Sequence, residues 1–133
     1  MQAQRDVDQF NAYKIVDSTT HVNGKLTLGE NMGDLGGVKI AYLALEKSLK
    51  EHGRPGNVDG FTPEQRFFLS YALTWRSVQT DAYTKAWVNS NVHAPDKLRV
   101  IGSLSNMPEF KAAWGCKDGD PMARPDSVRP RIW

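Results

Sequence analysis

Cysteine is almost missing from this chain. Cys116 stands alone in 133 residues, so no internal disulfide can form and no redox compartment follows from it. Charge of one sign is not concentrated either. Seventeen Lys and Arg against 15 Asp and Glu leave a net charge of +2, scattered along the chain without a basic run. No nucleic-acid footprint is therefore expected. Long apolar runs are absent too: VKIAYLAL is the longest apolar region, contains Lys39, and falls far short of the about 20 residues a membrane helix needs. The opening MQAQRDVDQF is polar and lacks the apolar segment of a signal peptide. Histidine is sparse, with only His21, His52 and His93. Nothing alternates in the way that would build a sheet of several strands.

What remains is an ordinary globular composition, 40% hydrophobic and 24% charged, in a length that fits one domain, 1–133, with a real core. The periodicity is helical, and the fold class it predicts is mainly α. Residues 1–25 read as an irregular lead-in with a turn at Asn23-Gly24. From 29 to 52, Leu35, Val38, Tyr42, Leu45 and Leu49 recur at helical spacings. Gly53, Pro55, Gly56 and Gly60 then make a loop. A second helix opens at FTPEQ, with Thr62 as N-cap, Pro63 at the first helical position and Gln65 completing a capping box. Its inward stripe is Phe68, Tyr71, Ala72 and Trp75. Tyr83, Ala86 and Trp87 predict a third helix ending near Asn91. Pro95 should push Ala94 out of helical geometry and start a short turn of helix. Residues 106–109 give another N-cap pattern, leading into Phe110, Ala113 and Trp114 and stopping at Gly115. The tail 116–133, with Pro121, Pro125 and Pro130, should lie irregularly over the surface.

The stretch LTLGENMGDLGG, 26–37, raises a question of chemistry. Gly29, Gly33, Gly36 and Gly37 each cost about 1 kcal/mol relative to Ala inside a helix. Such glycines suit close backbone packing or a nearby ligand. Among them Glu30 and Asp34 lie one helical turn apart on the same face. Like charges that close repel, so the pair wants cations nearby. Spacing alone leaves two readings open. Glu30 can simply favour the dipole of a helix start beside a solvated Asp34. Alternatively Glu30 ligates a metal and Asp34 orients a ligating histidine.

The wider text resembles one family. VNGKLTLGENMGDLGG, then GFTPEQRFFLSYALTW, then VHAPDKLRVIGSLSNMPEFKAAWG, then Trp133 after Arg-Ile, occur in the order found in the neprilysin-like zinc metallopeptidases, which include endothelin-converting enzyme and many bacterial peptidases. DQFNAY, just upstream, is similar as well. The resemblance implies the helical C-terminal portion of a zincin-type catalytic domain. It implies Glu30 as a zinc ligand and Asp34 as the carboxylate that holds a zinc-binding histidine. His93 would donate to the oxyanion of the tetrahedral intermediate, and Arg99 would hold a substrate carbonyl. Trp75 and Thr74 would border the pocket for the side chain after the scissile bond. The glycines would let the zinc-binding helix approach. Taken without the resemblance, His93 is a loop histidine, Arg99 a surface cation and Trp75 core. Asn31 and Asn106 fall in the matching motifs with no chemistry assigned, and His21 and His52 read as solvated.

There are departures. The family carries H-E-x-x-H, which supplies two zinc ligands and the general base, and none of the three histidines here forms it. That motif would fall before residue 1, so the chain is expected to be a piece of a longer peptidase. A catalytic zinc site takes three protein ligands; with Glu30 alone, the chain should bind no catalytic zinc and be inactive by itself. Thr74 stands where many relatives have an aliphatic residue, and Pro130 where animal members often have cysteine. The implied partners are the upstream part carrying H-E-x-x-H and peptide substrates cleaved on the amino side of hydrophobic residues. Self-association through an exposed apolar face is also expected, as are Glu30, Asp34, His93 and Arg99 on one side, with Arg99 turned toward a carboxylate. The parent would work outside the cytoplasm, as periplasmic, secreted or membrane-anchored relatives do. The competing reading is a non-catalytic helical interaction module derived from the same family.

Overall fold

A computed structural model describes residues 1–133, with six helices in order: α1 (Gln2–Asn11), α2 (Gly24–His52), α3 (Pro63–Thr74), α4 (Asp81–Ser90), α5 (Asp96–Leu104) and α6 (Pro108–Trp114). Only isolated bridges, Lys14 with His21 and Val58 with Phe61, interrupt the helical pattern. The 29-residue α2 is the axis on which the rest packs. It starts five residues before the expected Gly29, because Asn23 acts as a cap whose side chain accepts from the Leu26 amide at 3.0 Å. A signal that reads as a turn is here a helix start.

Residues 1–25 are not irregular as expected, since α1 occupies most of the first half. Its buried face is Asp6, Gln9 and Phe10, so two of the three buried positions are polar and apolar periodicity cannot reveal it. α1 packs on α2 so closely that a Cβ on Gly24 would lie 2.4 Å from the Val7 carbonyl oxygen. Phe10 reaches past it to α5, where a Cβ on Gly102 would lie 2.3 Å from the ring. The first core cluster joins Phe10, Ile15, Val22, Val88, Ala94 and Leu98. The second joins Leu35, Val38 and Tyr42 of α2 to Phe68, Leu104 and Met107. There Tyr42 stacks on Phe68 with ring centroids 5.2 Å apart, and Phe110 meets Phe68 edge-on at 5.3 Å.

The remaining elements follow local chemistry. α3 opens with the expected capping box: Thr62 accepts from the Gln65 amide at 3.2 Å and Gln65 accepts from the Thr62 amide at 3.0 Å. α4 turns Val88 inward while Tyr83 and Ala86 stay exposed, a rotation from the expected stripe. α5 runs nine residues where a single turn was expected, with Pro95 as its cap. α6 is capped by Met107 rather than Asn106, whose side chain is buried elsewhere, and it stops at Gly115 with φ +63°. The tail 116–133 is irregular as expected, yet Ala123 and Pro130 are buried. Its end is tied to α1 by the Arg131 amide, which donates to Gln2 Oε1 at 2.9 Å.

Burial pushes the Asp6 carboxyl up to about 6, against the hydrogen bond from Asn31 and the charge of Arg124. An acid whose folded pKa lies above its unfolded value of 3.8 contributes most below that value and loses the contribution as pH rises through about 6. Asp6→Asn removes the titration and keeps an acceptor for Asn31. Urea unfolding at pH 4 and pH 7 should show the variant gaining on wild type by up to about 3 kcal/mol between the two. Parallel curves for both proteins would refute the assignment.

Candidate active site on the α2 face

α2 divides its circumference by residue type. Thr27, Asn31, Leu35, Val38 and Tyr42 are buried. Gly29, Gly33 and Gly37 have nothing within 4 Å of a built Cβ. Glu30 and Asp34 stand beside that open stripe, and each meets a cation-capable side chain from the α4–α5 region.

Arg99, in the first turn of α5, grips Asp34 as a fork: Nε donates to Oδ2 and Nη2 to Oδ1, both at 2.7 Å. The Trp75 ring lies under the guanidinium, 3.7 Å from Cζ to the ring centroid. Planar Arg fits both demands, a bidentate carboxylate and an aromatic face. Burial alone would push Arg99 down, but the hydrogen bonds and charge of Asp34 outweigh it and hold the guanidinium above its ordinary value, with Glu30 contributing at longer range. His93 Nε2 sits 2.9 Å from Glu30 Oε2. Its other ring nitrogen is 3.0 Å from Asn91 Oδ1, which also accepts the His93 amide at 2.8 Å. The His93 carbonyl accepts from Trp87 Nε1 at 2.8 Å. Asn91 therefore aims the imidazole, a role its position at a helix end did not suggest. An Asn two residues before His in a non-helical turn is the signal that could have found it.

The structure thus brings Glu30, Asp34, His93 and Arg99 together with Trp75. Thr74 goes a different way. It is exposed, donates to the Tyr71 carbonyl, and borders a shallow hollow with Gly33, Asp34, Gly37, Phe67 and Tyr71. Trp75 lines a separate apolar groove with Leu69, Leu73, Val100 and Ile101. His21 and His52 are exposed and remote in the hydrogen-bond pattern, facing the carbonyls of Asn11 and Ser48.

The model of peptidase family M13 matches residues 1–129, and the chain belongs to that family. It is 39% identical to human endothelin-converting enzyme 1 over 129 residues, which is 96% of this chain and 16% of that protein. It is 43% identical over 120 residues to the endothelin-converting enzyme homolog of Locusta migratoria, 87% of this chain and 16% of that protein. A Mycobacterium tuberculosis zinc metalloprotease in its open state superposes with a TM-score of 0.92 at 33% identity, over 99% of this chain and 21% of that one. The chain therefore spans about a sixth of the length of the curated relatives it matches.

Zinc can be tested against the side chains present. No group of three or more His, Cys, Asp or Glu comes together to hold a metal ion, and a catalytic zinc takes three protein ligands. Glu30, a carboxylate with its side chain 45% exposed, fits as one ligand. The donor set of this chain is incomplete without ligands from elsewhere.

The open glycine stripe yields a direct test. Because nothing meets a Cβ at Gly33 or Gly37, Gly33→Ala and Gly37→Ala should each stabilise this chain by up to about 1 kcal/mol through helix propensity. Thermal melts of the two variants check this, and a lowered Tm in either would show the stripe to be packed.

Proposed function

We propose that this chain is a working part of a zinc-dependent metalloendopeptidase that hydrolyses peptide bonds on the amino side of hydrophobic residues, and that it is inactive alone. The observation that carries the reading is the convergence of Glu30, Asp34, His93 and Arg99 on one face of α2, with His93 Nε2 against Glu30 and Arg99 forked onto Asp34. These are the residues that the family motifs single out. When bound, zinc supplies Lewis-acid polarisation of the scissile carbonyl and of a water.

The chain's own residues divide the remaining work. Glu30 presents one carboxylate ligand. Asp34 has lone pairs to spare after accepting two hydrogen bonds from Arg99, so it can also accept from the outer nitrogen of a zinc-binding imidazole and fix its orientation. His93, steered by Asn91, directs Nε2 at the substrate oxygen that becomes negative in the transition state. Arg99, anchored on Asp34 and Trp75, keeps guanidinium N–H groups for a substrate backbone carbonyl. Trp75 borders the side-chain pocket through its apolar groove, with Thr74 on the neighbouring hollow.

The partner is the upstream part of the same peptidase, carrying H-E-x-x-H. What supports this is the open stripe of Gly29, Gly33 and Gly37, together with Ile40 on the same helix, exposed at 59%. Self-association is the outcome for that face when the chain stands alone. No helix of the chain is long and apolar enough to cross a membrane, and the parent's place outside the cytoplasm rests on the family resemblance. The interaction-module reading is separated from this one by the reading frame: an H-E-x-x-H upstream favours the peptidase, its absence the module.

In the intact peptidase, Glu30→Gln should release zinc and abolish hydrolysis, while Asp34→Ala should weaken zinc affinity or activity by roughly 10–100-fold. Metal analysis of both purified variants checks this, and a zinc-loaded, active Glu30→Gln enzyme would sink the assignment. His93→Ala should lose about 2.7–4 kcal/mol of transition-state stabilisation, as loss of one oxyanion donor does, chiefly in kcat. Arg99→Ala should raise KM as well, because a carbonyl is held in ground and transition states alike. Steady-state kinetics separate the two, and wild-type kinetics for His93→Ala would make it a structural residue.

A further inference from the structure

Two asparagines of the sequence motifs, Asn31 and Asn106, find no use in the reading above, yet both are buried, 3% exposed each. Each holds a polar side chain of α1. Asn31 Nδ2 donates to Asp6 Oδ2 at 3.1 Å and to Thr27 Oγ1 at 2.9 Å. Asn106 Nδ2 donates to Gln9 Oε1 at 2.8 Å and to the Gly102 carbonyl at 2.8 Å, and Gln9 Nε2 returns to that carbonyl at 3.1 Å. One face of α1 is therefore fastened by hydrogen bonds to α2 through Asp6 and to the end of α5 through Gln9. The same helix touches α2 at Gly24 and α5 at Gly102, where a Cβ would lie 2.4 and 2.3 Å from its atoms. Backbone and ring contacts of that kind leave no slack in spacing.

Such contacts fix distance and leave rotation and slide to be set by directional bonds. Asn31 lies directly after Glu30 and three residues before Asp34 on α2. One residue corresponds to about 100° around a helix, so turning Asn31 away from Asp6 would swing both carboxylates away from His93 and Arg99. Buried polar pairs contribute little net stability compared with apolar isosteres, and their best-attested use is to select one register. We propose that the buried seam of Asp6 with Asn31 and Gln9 with Asn106 is a positioning device: through α1 it sets the rotation of α2 against α5, so that Asp34 meets Arg99 and Glu30 meets His93. The four are positioning residues. Only the statement that they serve catalysis rests on the function proposed above; the geometric effect does not.

The test replaces both members of one pair by apolar residues of similar size, Asp6→Leu with Asn31→Leu, in this 133-residue chain. The readout is the side-chain Nε–H resonance of Arg99 in a 15N-resolved NMR spectrum and its protection from solvent exchange. The double variant should stay folded, with far-UV circular dichroism and Tm close to wild type. The Arg99 Nε–H should lose about tenfold or more of its protection, the same order as the loss of affinity or activity when a residue supporting a site is removed. Asp6→Asn, which keeps an acceptor for Asn31, should restore wild-type protection. A folded double variant with unchanged Arg99 protection overturns the proposal. If the double variant does not fold, Asp6→Leu alone is read in the same way. Failure of both to fold makes the seam a determinant of folding and also overturns it. In the intact peptidase the double variant should lower kcat by about tenfold or more at unchanged zinc content. Lost protection in the isolated chain, with an intact protein that hydrolyses no peptide, would sink the peptidase reading and leave the positioning role standing.

Discussion

Helix α2 has to meet two opposed demands, and the rest of the chain is arranged around that constraint. One side must be buried deeply enough to hold a 29-residue helix in place. The other must stay bare, with glycines where a core helix would carry bulk. Propensity cannot sustain it, since Gly29, Gly33, Gly36 and Gly37 together forfeit several kcal/mol relative to alanine. Tertiary packing has to compensate, and it does so from three directions. α1 covers the N-terminal part, α3 the middle through Tyr42 and Phe68, and α5 closes the gap with Leu104. The aromatic cluster of Tyr42, Phe67, Phe68 and Phe110 is part of that support, and it leaves Glu30 exposed.

Much of this was legible beforehand, and the exceptions share a cause. The start of α3 could be read to the residue because Thr62, Pro63 and Gln65 form a cap whose chemistry is local. The buried stripe of α2 could be read from Leu35, Val38 and Tyr42 because it is apolar at helical spacing. α1 was invisible for the opposite reason: its inward positions are Asp6, Gln9 and Phe10, and a polar seam carries no hydrophobic period. The start of α2 is hidden at Asn23-Gly24 because the same dipeptide serves a turn or an N-cap, and only the close approach of α1 decides between them. Asn106 resembles a cap, but Gln9 claims its side chain. That Glu30, Asp34, His93 and Arg99 lie together is as the motif text implies, whereas Asn91 has no such signal, because its hydrogen bonds go to a histidine two residues away.

The site itself contains one firm pair and one soft pair. Arg99 and Asp34 are 14% and 13% exposed at the side chain, joined by two short bonds and backed by an indole. Hydrogen bonds to charged groups in such settings are worth about 1.5–3 kcal/mol, and removing one partner strands the other charge. His93 and Glu30 share a single contact, with side chains 36% and 45% exposed. Pairs that open to water contribute about 0–1 kcal/mol. The difference assigns different tasks to the two. The Arg99–Asp34 fork is the firm contact made where α5 meets α2. The His93–Glu30 contact can be exchanged for another partner at little cost, while Asn91 holds the imidazole and Trp87 the backbone carbonyl of His93 on the protein side. Glu30 is the one carboxylate on this face that is both exposed and weakly held, which is the condition a carboxylate must meet before it can take on a ligand from outside the chain.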